Sequence, residues 1–153
     1  MSLPKAARGQ IAKFLKGAAA SPYEGVTWEQ NVGGVEGKFT FTFTGPAGTP
    51  YEGKKFDVNY DLTGGFPNRV PDITFKTKIW HCGVKEDDGT ICVAALEPWV
   101  PTTGLAACVE HVSGLMNQND PASMINTVAC DEYKANEGAF NAKAKQWAAQ
   151  YGK

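Results

Sequence analysis

Residues Lys38 to Thr44 read KFTFTFT, an uninterrupted alternation of aromatic and polar side chains. Successive side chains of an extended strand point to opposite faces, so Phe39, Phe41 and Phe43 line one face and Thr40, Thr42 and Thr44 the other. Such a segment demands a core on one side and water on the other. Gly45-Pro46 and Gly48-Thr49-Pro50 then break the chain. Alternation resumes over Lys55 to Leu62, where Phe56, Val58, Tyr60 and Leu62 stand opposite Asp57, Asn59 and Asp61. A third run, Asp72 to Lys78, puts Ile73 and Phe75 on one face, and a weaker one lies around Val26 to Val35. Together they predict an antiparallel meander of about four strands.

Helical patterns flank the sheet. Pro4 to Ala19 repeats Ala7, Ile11, Phe14, Leu15 and Ala18 at helical spacing, with Ser2 and Pro4 as start signals. Lys5, Arg8, Lys13 and Lys16 project from the other side, so this helix has a dry face and a basic face. Near the C-terminus, Thr102 or Thr103 is placed to cap a helix with the stripe Leu105, Val109, Val112, Leu115 and Met116. A second helix is expected over Ser123 to Tyr133, and a third over Asn136 to Gln150 that buries Phe140, Ala144, Trp147 and Tyr151. Between sheet and helices, Phe66 to Pro101 carries Pro67, Pro71, Gly83, Gly89, Pro98 and Pro101, which exclude a long regular element. Irregular segments of this length inside a small domain are where sites concentrate. The expected class is α+β: an N-terminal helix, a four-stranded antiparallel meander sheet, an irregular segment holding the site, and C-terminal helices.

Composition narrows the classes of function. With 153 residues the chain is one domain, 1–153, large enough to bury a core without disulfide or metal staples. Fifteen basic residues against 16 acidic ones, a net charge of -1, leave no electrostatic footprint for nucleic acid. Met1 to Leu15 mixes charges with apolar residues and is not a secretory signal, and no run approaches the ~18 apolar residues of a membrane span. The expected compartment is reducing and intracellular, cytoplasmic or nuclear, with the four cysteines as thiols.

Those four are Cys82, Cys92, Cys108 and Cys130. Cys108 and Cys130 fall in helical segments among apolar or small neighbours and read as packing. Cys92 follows the acidic turn Asp87-Asp88-Gly89-Thr90 in the irregular segment, where a bulky partner can reach it. A protease-like nucleophile wants a histidine base, and only His81 and His111 exist; His81, at a strand end, reads as loop support. Cys108 and His111 share a helix face, but no C-x-x-C pair accompanies them, so no metal is expected.

Tyr51-Glu52-Gly53-Lys54-Lys55-Phe56, followed by Phe66-Pro67-Asn68-Arg69-Val70-Pro71-Asp72-Ile73-Thr74-Phe75, resembles the Y-x-G-x-x-F and Y-P-x-x-P-P-x-V-x-F blocks of ubiquitin-conjugating enzymes. Lys78-Ile79-Trp80-His81 and Gly89-Thr90-Ile91-Cys92 resemble that family's R-I-Y-H-P-N and G-x-I-C-L segments. Trp99-Val100-Pro101 matches its W-S-P, and Lys145 to Tyr151 looks like its last helix. The likeness runs along essentially the whole chain in the right order.

The resemblance implies the ubiquitin-conjugating fold and an acyl-transfer chemistry. Cys92 would accept ubiquitin or a ubiquitin-like protein as a thioester from an activating enzyme, then pass it to a substrate lysine or a ligase cysteine. Exchange of an acyl group between thiols is nearly thermoneutral, so it needs an exposed thiol and orientation rather than a triad or a metal. No cofactor is implied; ATP serves only the upstream activating enzyme. Asp120 matches an acidic position that orients the incoming amine, with a helix-start cap as the equal alternative. Ligase binding maps to Lys5 and Arg8 on the first helix, Asn68 and Pro101; Asn68 stands where several members place an aromatic residue. Thr40 and Thr42 on the wet sheet face match a surface for a second, noncovalent ubiquitin. The implied partners are proteins, with the chain itself a monomer.

One departure divides the readings. Where the family has His-Pro-Asn, this chain has His81-Cys82-Gly83, so the asparagine amide is gone. Losing an oxyanion donor costs ~10²-fold to 10³-fold in rate. Either the enzyme is active, with another donor, Asn119 or a backbone amide, replacing it or with its cargo passed to a ligase cysteine or a ubiquitin-like relay, or the protein is a weak or inactive variant acting as a binding scaffold. A third reading gives Cys82 a redox role as the resolving partner of Cys92.

Overall fold

In the computed structural model, which describes residues 3–119 and 125–153, the alternating runs join in chain order into a single four-stranded sheet. Strands β1 (Val26–Glu29), β2 (Lys38–Thr44), β3 (Lys55–Asp61) and β4 (Asp72–Phe75) are all antiparallel. The register sets Phe39 opposite Tyr60, Phe41 opposite Val58 and Phe43 opposite Phe56, so the apolar halves of the two patterns fall on one face. All six are buried. Helix α1 (Lys5–Ala20) closes part of that face: Phe14 stands edge-on to Phe41 at 5.8 Å and tilts against Trp28 at 5.3 Å. Burial of rings and branched chains at roughly 1.5–3 kcal/mol each is what holds helix to sheet.

Helices α2 (Gly104–Asn117), α3 (Thr127–Ala135) and α4 (Glu137–Tyr151) follow the irregular segment. The stripe Leu105, Val109, Val112, Leu115 and Met116 is buried as the spacing predicts. The chain thus has the expected α+β architecture, and Phe66 to Pro101 supplies only β4, isolated bridges and one 3-10 turn, Ala94–Leu96, before the turn Pro101–Thr103.

Local details differ from the expectations where side chains act over a distance. The first strand stops at Glu29 rather than Val35, because Asn31 adopts a left-handed conformation (φ 54°) and leads into a 3-10 turn. β4 ends at Phe75 because the Lys76 and Thr77 amides both donate to the Asp57 carbonyl, which breaks the ladder. Asp57, expected to be wet, is buried: the Lys153 ammonium pairs with it and the Thr42 hydroxyl donates to it at 2.7 Å. Burial opposes its charge, but these two partners outweigh burial and hold its carboxyl below the usual range.

Thr103 does not cap α2. It lies in the 3-10 turn, where its hydroxyl accepts from the Val100 amide (3.2 Å), and Gly104 at φ 77° separates the two elements. Asn126 and Asn136 are the working caps of α3 and α4, accepting from Ala129 (3.1 Å) and Ala139 (3.0 Å). Ser123 lies outside the described residues, as does Ser2. On α4 the buried row is Phe140, Ala144 and Ala148; Trp147 is half-buried and Tyr151 is 38% exposed, its ring edge-on to Trp147.

Candidate active site

The irregular segment turns at Gly89, which has φ 76° and lets its carbonyl accept from the Phe75 amide at 2.8 Å. A Cβ at this position would lie 2.1 Å from the Phe75 carbonyl oxygen, so only glycine lets the two backbones approach. From there the chain runs through Thr90 and Ile91, which form single bridges with Thr74 and Val84, to Cys92.

Cys92 is half-buried, whereas Cys82, Cys108 and Cys130 are each 0% exposed. It is the one thiol that reaches the surface. Its amide donates to the Gly83 carbonyl (2.9 Å) and its carbonyl accepts from His111 Nε2 (2.7 Å). Burial pushes the Cys108 thiol up to about 12, and its sulfur hydrogen faces the Gly104 carbonyl at 3.5 Å. Both reads as packing therefore hold, and the resolving role for Cys82 lacks solvent access. Cys108 and His111 turn to different carbonyls, and no cluster of three metal-ligating side chains forms among the described residues.

His81 is wholly buried. Its Nε2–H donates to the carbonyls of Leu115 (2.6 Å) and Gln118 (3.0 Å), while Nδ1 accepts from the Gly83 amide (2.8 Å). These partners fix the neutral Nε2–H tautomer. Burial lowers its pKa to about 4, against the opposing pull of the two carbonyls. The ring thus ties residues 81 and 83 to the end of α2 through three backbone groups.

Asn119 is part of the same framework. Its Oδ1 accepts from the Cys82 amide (2.9 Å) and its Nδ2 donates to the Tyr51 hydroxyl (3.2 Å), which itself donates to the Trp80 carbonyl (2.6 Å). One of its two N–H donors remains unspent by these bonds. The Cys82 carbonyl accepts from the Asn126 and Ile125 amides. Asp120 lies outside the described residues. The site of the missing family asparagine, Gly83, would direct a Cβ toward Leu115 Cδ1 (3.0 Å) and the His81 ring (3.4 Å). The Tyr51 and His111 contacts carry no local sequence signal, since each joins segments far apart in the chain; Asn126 is legible only as a helix cap.

The residues mapped to ligase binding lie on exposed ground. Lys5 is exposed on α1; Arg8 is too, with its guanidinium held by Glu36 at 3.0 and 3.1 Å. Asn68 and Pro101 are exposed on two loops that Trp99 ties together, donating from Nε1 to the Pro67 carbonyl at 2.8 Å. Between α1 and residues 102–106 runs an open groove of about 230 Å³. Thr40 and Thr42 are bonded across the sheet to Asn59 and Asp57 on its outer face.

Fold and site together define a class: an α+β domain that frames a half-buried thiol with loops pinned by hydrogen bonds. Comparison with known proteins gives that class its family. A family profile described as ubiquitin-conjugating enzyme matches residues 11–148. Over 156 aligned residues the chain is 32% identical to ubiquitin-conjugating enzyme E2 13 of Saccharomyces cerevisiae, covering 99% of this chain and 96% of that one. It is 29% identical over 116 residues to ubiquitin conjugating enzyme E2 B of Dictyostelium discoideum, covering 76% and 78%. The E2 domain of a Toxoplasma gondii ubiquitin conjugating enzyme superposes with a TM-score of 0.81 at 27% identity, over 94% of this chain and 99% of that domain. A Plasmodium yoelii crystal structure gives 0.86 over 99% and 98% of the two chains; at 24% identity this is a likeness of fold. The chain belongs to the ubiquitin-conjugating enzyme family.

Proposed function

We propose that Cys92 accepts ubiquitin or a ubiquitin-like protein as a thioester from an activating enzyme and transfers it to a substrate lysine or a ligase cysteine. The observation that carries this reading is the position of Cys92: a half-buried thiol on a main chain bonded at both its amide and its carbonyl. In loading, the Cys92 sulfur attacks the thioester carbonyl carbon; a new C–S bond forms, the old one breaks, and the departing enzyme thiol takes the proton. In discharge, an amine nitrogen attacks the same carbon, the C–N bond forms, the C–S bond breaks, and the Cys92 thiol is regained with a proton from the amine. Neither step requires a cofactor or metal on this chain.

In this reading His81 supports the loop, Asn119 offers its remaining N–H as the replacement donor, and Asp120 orients the amine. Lys5, Arg8, Asn68 and Pro101 meet the ligase. The protein acts as a monomer in the cytoplasm or nucleus, with the activating enzyme, a ligase and a protein substrate as partners.

The test is incubation with activating enzyme, ATP and ubiquitin. A reductant-sensitive adduct on Cys92 is expected, and Cys92→Ser should give a longer-lived oxyester. If neither ubiquitin nor any ubiquitin-like protein charges Cys92, the chain is a binding scaffold instead.

A further inference from the structure

Helix α2 touches both loops of the site from one edge. His111 and Leu115 are four residues apart, so they lie on the same helix face. The Leu115 carbonyl accepts from the His81 ring, and its Cδ1 methyl fills the space beside Gly83. One turn earlier, the His111 ring reaches across to the Cys92 carbonyl at 2.7 Å. The loops are also joined to each other, by the Cys92 amide on the Gly83 carbonyl at 2.9 Å. Val109 and Val112, on either side of His111, are both 0% exposed, which anchors the helix that carries the ring.

From this geometry we infer that His111 is a positioning residue for acyl transfer, its Nε2–H holding the Cys92 carbonyl so that the thioester-bearing residue keeps one orientation. The inference rests on the reading of Cys92 as the acceptor thiol. The carbonyl can only accept, so Nε2 is the protonated nitrogen, and the ring contributes a hydrogen bond rather than a base. With amide and carbonyl both fixed, the placement of Sγ is left to the rotation of one side-chain bond. That restriction matters because a misplacement of about 1 Å at a reacting centre costs up to roughly 10²-fold in rate. A histidine places its donor through only two rotatable bonds, so little freedom is lost on binding.

The experiment compares wild type, His111→Leu and His111→Gln. Leucine keeps apolar bulk without a donor, and glutamine restores an N–H at similar reach. Each is charged with ubiquitin by the activating enzyme, and single-turnover discharge is followed at increasing free lysine. Expected is normal charging of all three, a discharge rate at saturating lysine roughly tenfold lower in His111→Leu with an unchanged KM for lysine, and recovery in His111→Gln. If His111→Leu discharges within twofold of wild type, or if glutamine does no better than leucine, the inference is overturned while the Cys92 reading stands. If wild type charges with neither ubiquitin nor any ubiquitin-like protein, the Cys92 reading fails and this inference falls with it. Thermal unfolding checks each variant; should His111→Leu not fold, His111→Met replaces it as the donor-less form under the same criteria.

Discussion

Tyr51→Phe tests the framework behind the site by removing one oxygen. Tyr51 is 1% exposed, and its ring meets Phe56 edge-on at 6.0 Å, packing that phenylalanine retains. What is lost is the hydroxyl that donates to the Trp80 carbonyl (2.6 Å) and accepts from Asn119 Nδ2 (3.2 Å). A buried polar group left without its partner costs about 1–3 kcal/mol. The Trp80 carbonyl sits in the core and bears most of that cost, whereas half-exposed Asn119 can turn to water and adds less. The expected loss is about 2–3 kcal/mol, or roughly 4–12 °C in Tm for a domain of this size. Urea unfolding reads it as a lower midpoint at unchanged slope. Because Asn119 also holds the Cys82 amide, a double-mutant cycle with Asn119→Ala should show a coupling of at least ~0.5 kcal/mol. A stability change below ~0.5 kcal/mol, or strict additivity with Asn119→Ala, would refute the view that this hydroxyl joins the loops.

The buried His81 predicts an acid limb of stability. Its folded pKa of about 4 lies below the ~6.5 of an unfolded chain, so its contribution is complete above ~6.5 and is lost as pH falls through 4, about 3 kcal/mol in all. The stability gap between wild type and His81→Gln should therefore shrink between pH 7 and 4.5 in urea unfolding; a constant gap contradicts it. Gly89→Ala sets a Cβ 2.1 Å from the Phe75 carbonyl oxygen and should cost ~3 kcal/mol or more, against ~1 kcal/mol for Gly48→Ala, where φ is also positive but nothing lies within 4 Å. Equal losses in thermal unfolding would show that the close approach does not exist. Gly83→Asn sets its Cβ against Leu115 Cδ1 and the His81 ring, so its amide is not expected to act as a donor and lysine discharge should not rise more than about threefold above wild type. A gain of ten- to a hundredfold would mean the amide reaches the reacting carbon after all.

The sheet was readable from sequence because strand geometry is a local rule: a period of two in residues 38–44 and 55–62 leaves few alternatives. The reachable placement of Cys92 was readable because a turn signal and an irregular segment flank it. The framework was not, since its bonds join residues with no shared periodicity. Tyr51 reaches 29 residues ahead, His81 reaches 34 and 37, and Asn119 reaches back 37. Asp57 shows the same limit from the other side. Alternation assigns it to water correctly as a direction, but Lys153, 96 residues later, folds over it and changes its exposure and charge balance. Tyr151 failed as a core residue because the buried row of α4 ends at Ala148, leaving its ring edge-on to half-buried Trp147.

Stability and the proposed activity should be coupled unevenly across this protein, according to where the polar bonds lie. The proposed thiol exchange depends on geometry, and the geometry of residues 80–83 and 92 is set by buried and part-buried hydrogen bonds to Tyr51, Asn119, Asn126, Leu115 and His111. A dry environment strengthens those bonds and also keeps His81 neutral. Removing Tyr51, His81 or Asn119 should therefore lower unfolding free energy and discharge rate together. Changes at Cys92, Lys5 or Asn68, whose side chains carry no part of that framework, should alter transfer or partner binding at nearly constant stability. Plotting discharge rate against unfolding free energy for both sets should give two groups, one along a slope and one along a vertical line. If the framework variants instead fall on a horizontal line, losing stability at an unchanged rate, the polar bonds hold the loop in place without placing the thiol.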